Sequence, residues 1–324
     1  MHIFPPPLII EELEGFTPEK DIFDRAPLGK GLTNLVQNTK EPLVILLDSE
    51  WGTGKTTFLK MWAGELRNEG HPIVFFDAFA NDYVDNAFLA ICGEIISLAK
   101  EKSHLEKSKV DRFLDIAAGT GRVLLRNSAK IAVKGVTLGA VDAMELGREF
   151  ESLGSDIAKV ASEGADSYVR DALNRRESDQ RTLNGFRKAL ADLATPPAGQ
   201  VAQPNRPLVF ILDELDRCRP SFSLDIIETI KHIFSVEGVH FLLAANINQL
   251  VSSVKYSYGN DIDAVLYLQK FYSLAVSFPD AVGRSSTIKR YIEYSCAYLY
   301  KDIPRDNKAE AIMEAVESVA EARA

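Results

Sequence analysis

The sequence predicts a three-layer α/β fold: a parallel sheet between layers of helices, carrying a helical insert and a helical C-terminal subdomain. Three observations predict it. Apolar runs of strand length recur at "LVILL", "PIVFF", "LVFIL" and "VHFLLAA". Helical patterns separate them, and strand, helix, strand order favours parallel pairing with right-handed crossovers. Between about residues 100 and 193 the strand signals stop and charged, small-residue helical patterns take over, which marks the insert.

Taken in order, residues 1–20 read as an irregular lead-in, with Pro5 to Pro7 favouring extended backbone. A helix is expected over Leu28 to Gln37, then a strand over Leu43 to Leu47. A glycine turn follows, and then "TTFLKMWAGELRNEG", where Phe58, Leu59, Trp62 and Leu66 repeat at helical spacing and Gly70 supplies the stop. "PIVFFDAF" is the second strand, and Asn86 to Ala99 a helix. After the insert, "ATPPAGQVAQPNRP" (Ala194 to Pro207) has the composition of an exposed linker. "LVFILDELD" is a strand closing on acids, "SFSLDIIETIKHIF" a serine-capped helix, and "VHFLLAANINQL" a strand ending in polar residues. From Tyr256 onward the pattern is mainly helical, through "AVLYLQKFYSLAVSF" and "STIKRYIEYSCAYLY". The expected domain is therefore 21–280, with 281–324 as the helical C-terminal subdomain. Its last helix has no stop signal, which suits a truncated chain and a frayed end equally.

Composition narrows the function. A chain of 324 residues that is 46% hydrophobic can build a sizeable core. Its formal charge of -9 argues against a general electrostatic hold on nucleic acid. Cys92, Cys218 and Cys296 form no CxxC pair and no even framework, and the start lacks the basic flank and apolar core of a secretory signal, so a reducing, cytoplasmic setting is expected. The most membrane-like stretch, Ile131 to Gly147, is broken by Lys134, Asp142 and Glu145 and is too short to span. Arg170 to Leu190 mixes basic and acidic residues at spacings of exposed helix pairs. His2, His71, His104, His232 and His240 have no metal-ligand spacing, and no serine sits in a nucleophile elbow.

The chemistry concentrates at "SEWGTGKTT". A triphosphate needs backbone N–H donors in a tight loop completed by a helix N-terminus, with no bulky side chains in the way. Gly52 and Gly54 meet that need; Lys55 would reach the β and γ phosphates, Thr56 would offer its hydroxyl to Mg²⁺, and Thr57, the next helical residue, would touch the α phosphate. The candidate nucleotide contacts are Glu50, Trp51, Gly52, Thr53, Gly54, Lys55, Thr56 and Thr57. The GxxxxGK[ST] signature places its first glycine at position 49, where this chain has Ser49.

The complementary acid lies at the end of an apolar strand, where ligands meet an open parallel sheet. Asp213 is assigned to Mg²⁺ and Glu214 to general base, with Asp216 as the rival base. Asn246, ending the next strand, is the candidate sensor of the γ phosphate, with Asn248 the near alternative. Arg217 is expected to pair locally. Arg284, Lys289 and Arg290 are candidates for an arginine finger, and solvated helix charge is the plainer account of them.

"EWGTGKTT", "LDELDRCRP" and "YLQKFYSLAVSFP" together resemble the KAP family of P-loop NTPases, relatives of the STAND signalling ATPases. The resemblance covers about Asp21 to Pro279. It implies ATP hydrolysis coupled to a conformational switch, an effector protein or subunit in a homo- or hetero-oligomer, and, for bacterial and plasmid members, defence against phage. Family members often carry transmembrane helices in the insert, and this sequence does not. The expected function is thus a Mg-dependent ATPase switch; a non-hydrolysing, nucleotide-binding regulatory scaffold is the alternative. A small-molecule kinase and a nucleic-acid motor fit less well.

Overall fold

The computed structural model describes residues 8–84, 86–101, 107–129, 165–194 and 206–278. The linker residues 195–205, the candidate membrane stretch Ile131 to Gly147, and the expected C-terminal subdomain with Arg284, Lys289 and Arg290 lie outside the described residues. Contacts divide the chain into two compact units, Lys102–Leu193 and the rest.

The larger unit is built on one five-stranded sheet of order β2-β3-β4-β1-β5. Its strands are β1 (Val44–Asp48), β2 (Ile73–Asp77), β3 (Leu208–Asp213), β4 (Val239–Ala245) and β5 (Leu274–Ser277). All four pairings are parallel. β3 and β4 are buried at every residue, which is why their sequences run apolar without alternation. The helices are α1 (Ala26–Asn38), α2 (Lys55–Asn68), α3 (Ala87–Glu101), α6 (Pro220–Thr229, continuing as a π turn over Ile230–Phe234), α7 (Ile247–Tyr258) and α8 (Ala264–Leu268). In the other unit lie α4 (Lys107–Ala129) and α5 (Ala165–Ala194), with Phe113 and Phe186 at 5.4 Å between ring centroids and an Arg181–Glu177 pair at 2.6 Å.

α2 carries the loop that matters most, and its ends are fixed by glycines. At its start Gly54 adopts φ 82, a left-handed conformation that a side chain would strain. At its end Gly70 (φ 83) donates to the Arg67 carbonyl and His71 to the Leu66 carbonyl, a Schellman stop. Phe58, Leu59, Trp62, Ala63 and Leu66 bury against β1, β3 and β4 residues Ile45, Leu47, Ile211 and Leu242. The lead-in is irregular where described and straps along α2: Arg67 Nη1 donates to the Glu12 carbonyl at 3.1 Å and Asn68 Nδ2 to the Leu13 carbonyl at 2.8 Å.

Two expectations are corrected. "AVLYLQKFYSLAVSF" is not one helix: α8 ends at Leu268, and Leu274–Ser277 is β5. Its backbone closes the open edge of β1, pairing Ile45 with Leu274 and Asp48 with Ser277, so sheet hydrogen bonding overrides the helical spacing. The serine cap on α6 is also absent. Arg219 is the N-cap, Pro220 fills the first turn where its missing N–H costs nothing, and Ser223 Oγ bonds the Pro220 carbonyl at 3.0 Å.

His240 sits wholly buried in β4, its Nδ1 accepting from the Leu43 N–H at 3.2 Å. Burial holds its pKa below the usual 6.5, nearby His71 adds to that, and the Val36 and Thr39 backbone oppose it. The unfolded chain therefore takes up the proton first, and stability falls as pH drops below the ordinary histidine range. Urea midpoints of wild type and His240→Phe, compared from pH 7.5 to 5, are expected to converge on acidification. The wild type should lose up to about 1.4 kcal/mol relative to the variant per pH unit in that window. A constant difference would show that His240 is not the titrating group.

Candidate nucleotide site

The parallel register sets the geometry. Asp77 of β2 pairs with Asp213 of β3, and Asp48 of β1 with Ala245 of β4, so three strand-end aspartates and Asn246 share one edge of the sheet. The loop from Ser49 to Gly54 leaves the same edge, because β1 leads directly into it.

Within the loop, Gly52 (φ 79) and Gly54 (φ 82) both take left-handed backbone. Ser49 is not among the described non-glycine residues with positive φ, which are Asp24 and Glu214. The serine thus stands in for the signature glycine without left-handed strain. Its hydroxyl bonds Thr53 Oγ1 at 2.7 Å, while Thr53 Oγ1 donates to the Glu50 carbonyl at 2.9 Å, bracing the loop from within. Lys55 is buried, its Nζ donating to the Ser49 carbonyl at 2.6 Å and the Glu50 carbonyl at 3.0 Å. Burial pulls its pKa down, and Asp216, Asp213 and Asp48 act against that.

Asp213 is 2% exposed. Burial raises its pKa and the neighbouring Asp77 adds to the rise; the Thr56 hydroxyl and the Glu214 N–H, the latter 2.9 Å from Oδ1, stabilise its anion. Lys55, Thr56 and Asp213 thus meet at one place. Glu214 has φ 58, rare for a residue with a side chain, and sits partly buried with Oε1 3.1 Å from Arg217 Nη1. Its pKa is raised, by burial first, with Arg217 opposing.

Asp216 Oδ2 accepts from the Trp51 indole N–H at 2.6 Å and from the Asn246 backbone N–H at 2.9 Å, so it ties the loop to the end of β4. Asn246 caps α7, its Oδ1 accepting from the Asn248 N–H at 3.0 Å, and Asp48 Oδ1 accepts from the Ile247 N–H at 2.9 Å. Thr57 follows on the first turn of α2. Sequence reasoning missed Asp48 and Asp77, although each ends an apolar run as Asp213 does, and that shared position was the available signal.

The donors suit a hard cation: a buried carboxylate and a hydroxyl side by side, with further carboxylates near. Among the described residues no three His, Cys, Asp or Glu side chains are grouped so as to hold a metal ion. No described helix is long and apolar enough to cross a membrane.

No curated protein matches the chain. Among solved structures that do is the Aeropyrum pernix ORC2 protein in its ADPNP-ADP complexes, at 13% identity and TM-score 0.38, covering 91% of this chain and 54% of that one. This chain spans about half the length of that structure. The model of the KAP family P-loop domain matches residues 25–293. With that match over most of its length, and a glycine loop facing an acid-ended strand in a parallel sheet, the chain belongs to the KAP family of P-loop NTPases.

Proposed function

We propose that the chain is a Mg-dependent ATPase that works as a conformational switch, with the nucleotide held between the Lys55 loop and the Asp213 strand. The observation that carries the reading is the meeting of the Thr56 hydroxyl with the buried Asp213 carboxylate, close enough for the hydroxyl to stabilise that anion. A loop hydroxyl beside a strand acid is a donor pair that one small divalent cation would share. Bound Mg²⁺ supplies charge neutralisation at the phosphate oxygens.

The chain's own groups do the rest. The loop N–H groups of Gly52 to Thr57, with Glu50, Trp51 and Thr53 around them, bind phosphate, and Lys55 trades its two carbonyl acceptors for phosphate oxygens. Glu214 takes the proton of the attacking water. Asp216 is the weaker candidate, because its Oδ2 already holds two donors. Asn246 is assigned to sensing the γ phosphate through its Nδ2, since its Oδ1 holds the α7 cap. Through Asp216 the loop is joined to Asn246 and α7, a route by which phosphate occupancy would reach the surface and an effector protein or subunit. The phage-defence setting implied by the family likeness is part of the same reading.

One observation favours the non-hydrolysing scaffold: the Glu214 carboxylate is already engaged by Arg217. Phosphate release with Mg-ATP, measured beside nucleotide binding, separates the two. Lys55→Ala is expected to lose binding, and Glu214→Gln to bind normally while turnover falls roughly 10²- to 10⁴-fold. Tight binding by wild type with no phosphate released would establish the scaffold instead.

A second outcome tests Glu214 as the base. Because its folded pKa is raised, the rate should fall on acidification at a pH above the usual carboxylate value of 4.5. Arg217 lowers that pKa, so Arg217→Ala should move the acid limb of the kcat/KM profile, which reports the free enzyme, to still higher pH. An unmoved limb would exclude Glu214.

A further inference from the structure

Arg25 presents a problem of charge. It lies just before α1 and is only 7% exposed, yet no carboxylate or carbonyl among the described residues accepts from its guanidinium. The acid whose charge acts on it, Asp21, spends both oxygens on backbone: Oδ1 accepts from the Arg25 N–H at 2.9 Å and Oδ2 from the Ala26 N–H at 2.8 Å. What surrounds the guanidinium is aromatic. Its carbon lies 3.5 Å from the Phe278 ring centroid and 4.8 Å from that of Phe23. The rings fix the plane of the group and attract its charge, but they offer no acceptor for its N–H donors.

Its position explains what it awaits. A Cβ built on Gly54 would lie 3.4 Å from Arg25 Nη1, so the guanidinium edge abuts the residue that caps the N-terminus of the 14-residue α2. A helix N-terminus is itself electropositive, so a largely buried cation whose donors meet only solvent there is stabilised by an anion that joins it. The preceding residue, Asp24, holds φ 53, so the turn that delivers Arg25 is strained as well. Burial also lowers the pKa of Arg25 to about 10, which leaves it charged at neutral pH.

We propose that Arg25 is a second cation of the phosphate site, donating to a phosphate oxygen of the bound nucleotide beside Gly54 while Phe23 and Phe278 hold its plane. The inference rests on the nucleotide-binding reading above, and adds a contact that arrives from the segment before α1 and is clamped by the residue after β5. It makes binding sensitive to how those two segments sit against the loop.

The competing account is structural: Arg25 only pins Phe23 to Phe278. The two differ in sign. In the full chain, Arg25→Met keeps a long apolar stem between the rings and removes the charge. If Arg25 binds phosphate, the variant should bind ADP and ATP roughly ten- to a hundredfold more weakly, the range for one charge-assisted hydrogen bond, while its ligand-free Tm is unchanged or higher. A lowered ligand-free Tm with unchanged ADP affinity overturns the proposal and leaves the nucleotide reading intact. Failure of wild type to bind ADP at all overturns both. Wild type also gives a direct readout that no variant can spoil by misfolding. The Arg25 Nε–H resonance should shift and exchange more slowly with water on saturation with ADP, and a resonance that does neither overturns the proposal.

Discussion

The parallel, in-register pairing of β1 to β4 is the constraint on which the site depends. Because all strands run one way, their C-terminal ends share an edge, and Asp48, Asp77, Asp213 and Asn246 are gathered there from segments far apart in sequence. An antiparallel neighbour would send one of those acids to the opposite edge. The register needs dry strands with satisfied backbones, which is what the unbroken apolar runs of β3 and β4 secure.

Gathering so many acids has an electrostatic consequence. Asp213 and Glu214 are both pushed toward the protonated form by burial, and each is pushed further by acidic neighbours. Against them stands Lys55, itself penalised by burial and stabilised by Asp216, Asp213 and Asp48. The Thr56 hydroxyl and the Glu214 N–H offset part of that push on Asp213, and a divalent cation would relieve it more fully. The left-handed backbone of Glu214 belongs to the same compromise: it turns the chain sharply after β3, so that the Glu214 N–H bonds Asp213 while its side chain turns to Arg217.

Legibility followed locality. β1 to β4 could be read because a strand buried on both faces must be written as a continuous apolar run, and α2 because glycines stand at both of its ends. β5 could not: "SLAVS" has no signal stronger than the helical spacing around it, and only the open edge of β1 makes it a strand. At the site, Lys55, Thr56 and Asp213 were legible from residue type and spacing. Asp216 was not legible in its structural role, since its donors come from Trp51 and Asn246, 165 and 30 residues away. Arg25 was hidden for the same reason, because its rings come from either side of the domain in sequence and Gly54 from between them. Ser49 does not take left-handed backbone, so its side chain brings no conformational handicap to the position where the signature has glycine.

The arrangement also limits where a switch could act. A ligand shifts a conformation only through contacts that differ between the two states. Lys55 and Asp216 are the groups whose present partners a phosphate would compete with or disturb: Lys55 holds two loop carbonyls, and Asp216 holds the loop tryptophan and the β4 end at once. Trp51 is more than half exposed, so its single bond to Asp216 has little packing to back it, whereas the Asp48 bond to Ile247 anchors α7 independently. Rearrangement of the loop would therefore release Asp216 before it released α7. Under the proposed switch reading, the first event would be local to Trp51 and Asp216, and a larger motion would spread through the segments that touch that pair.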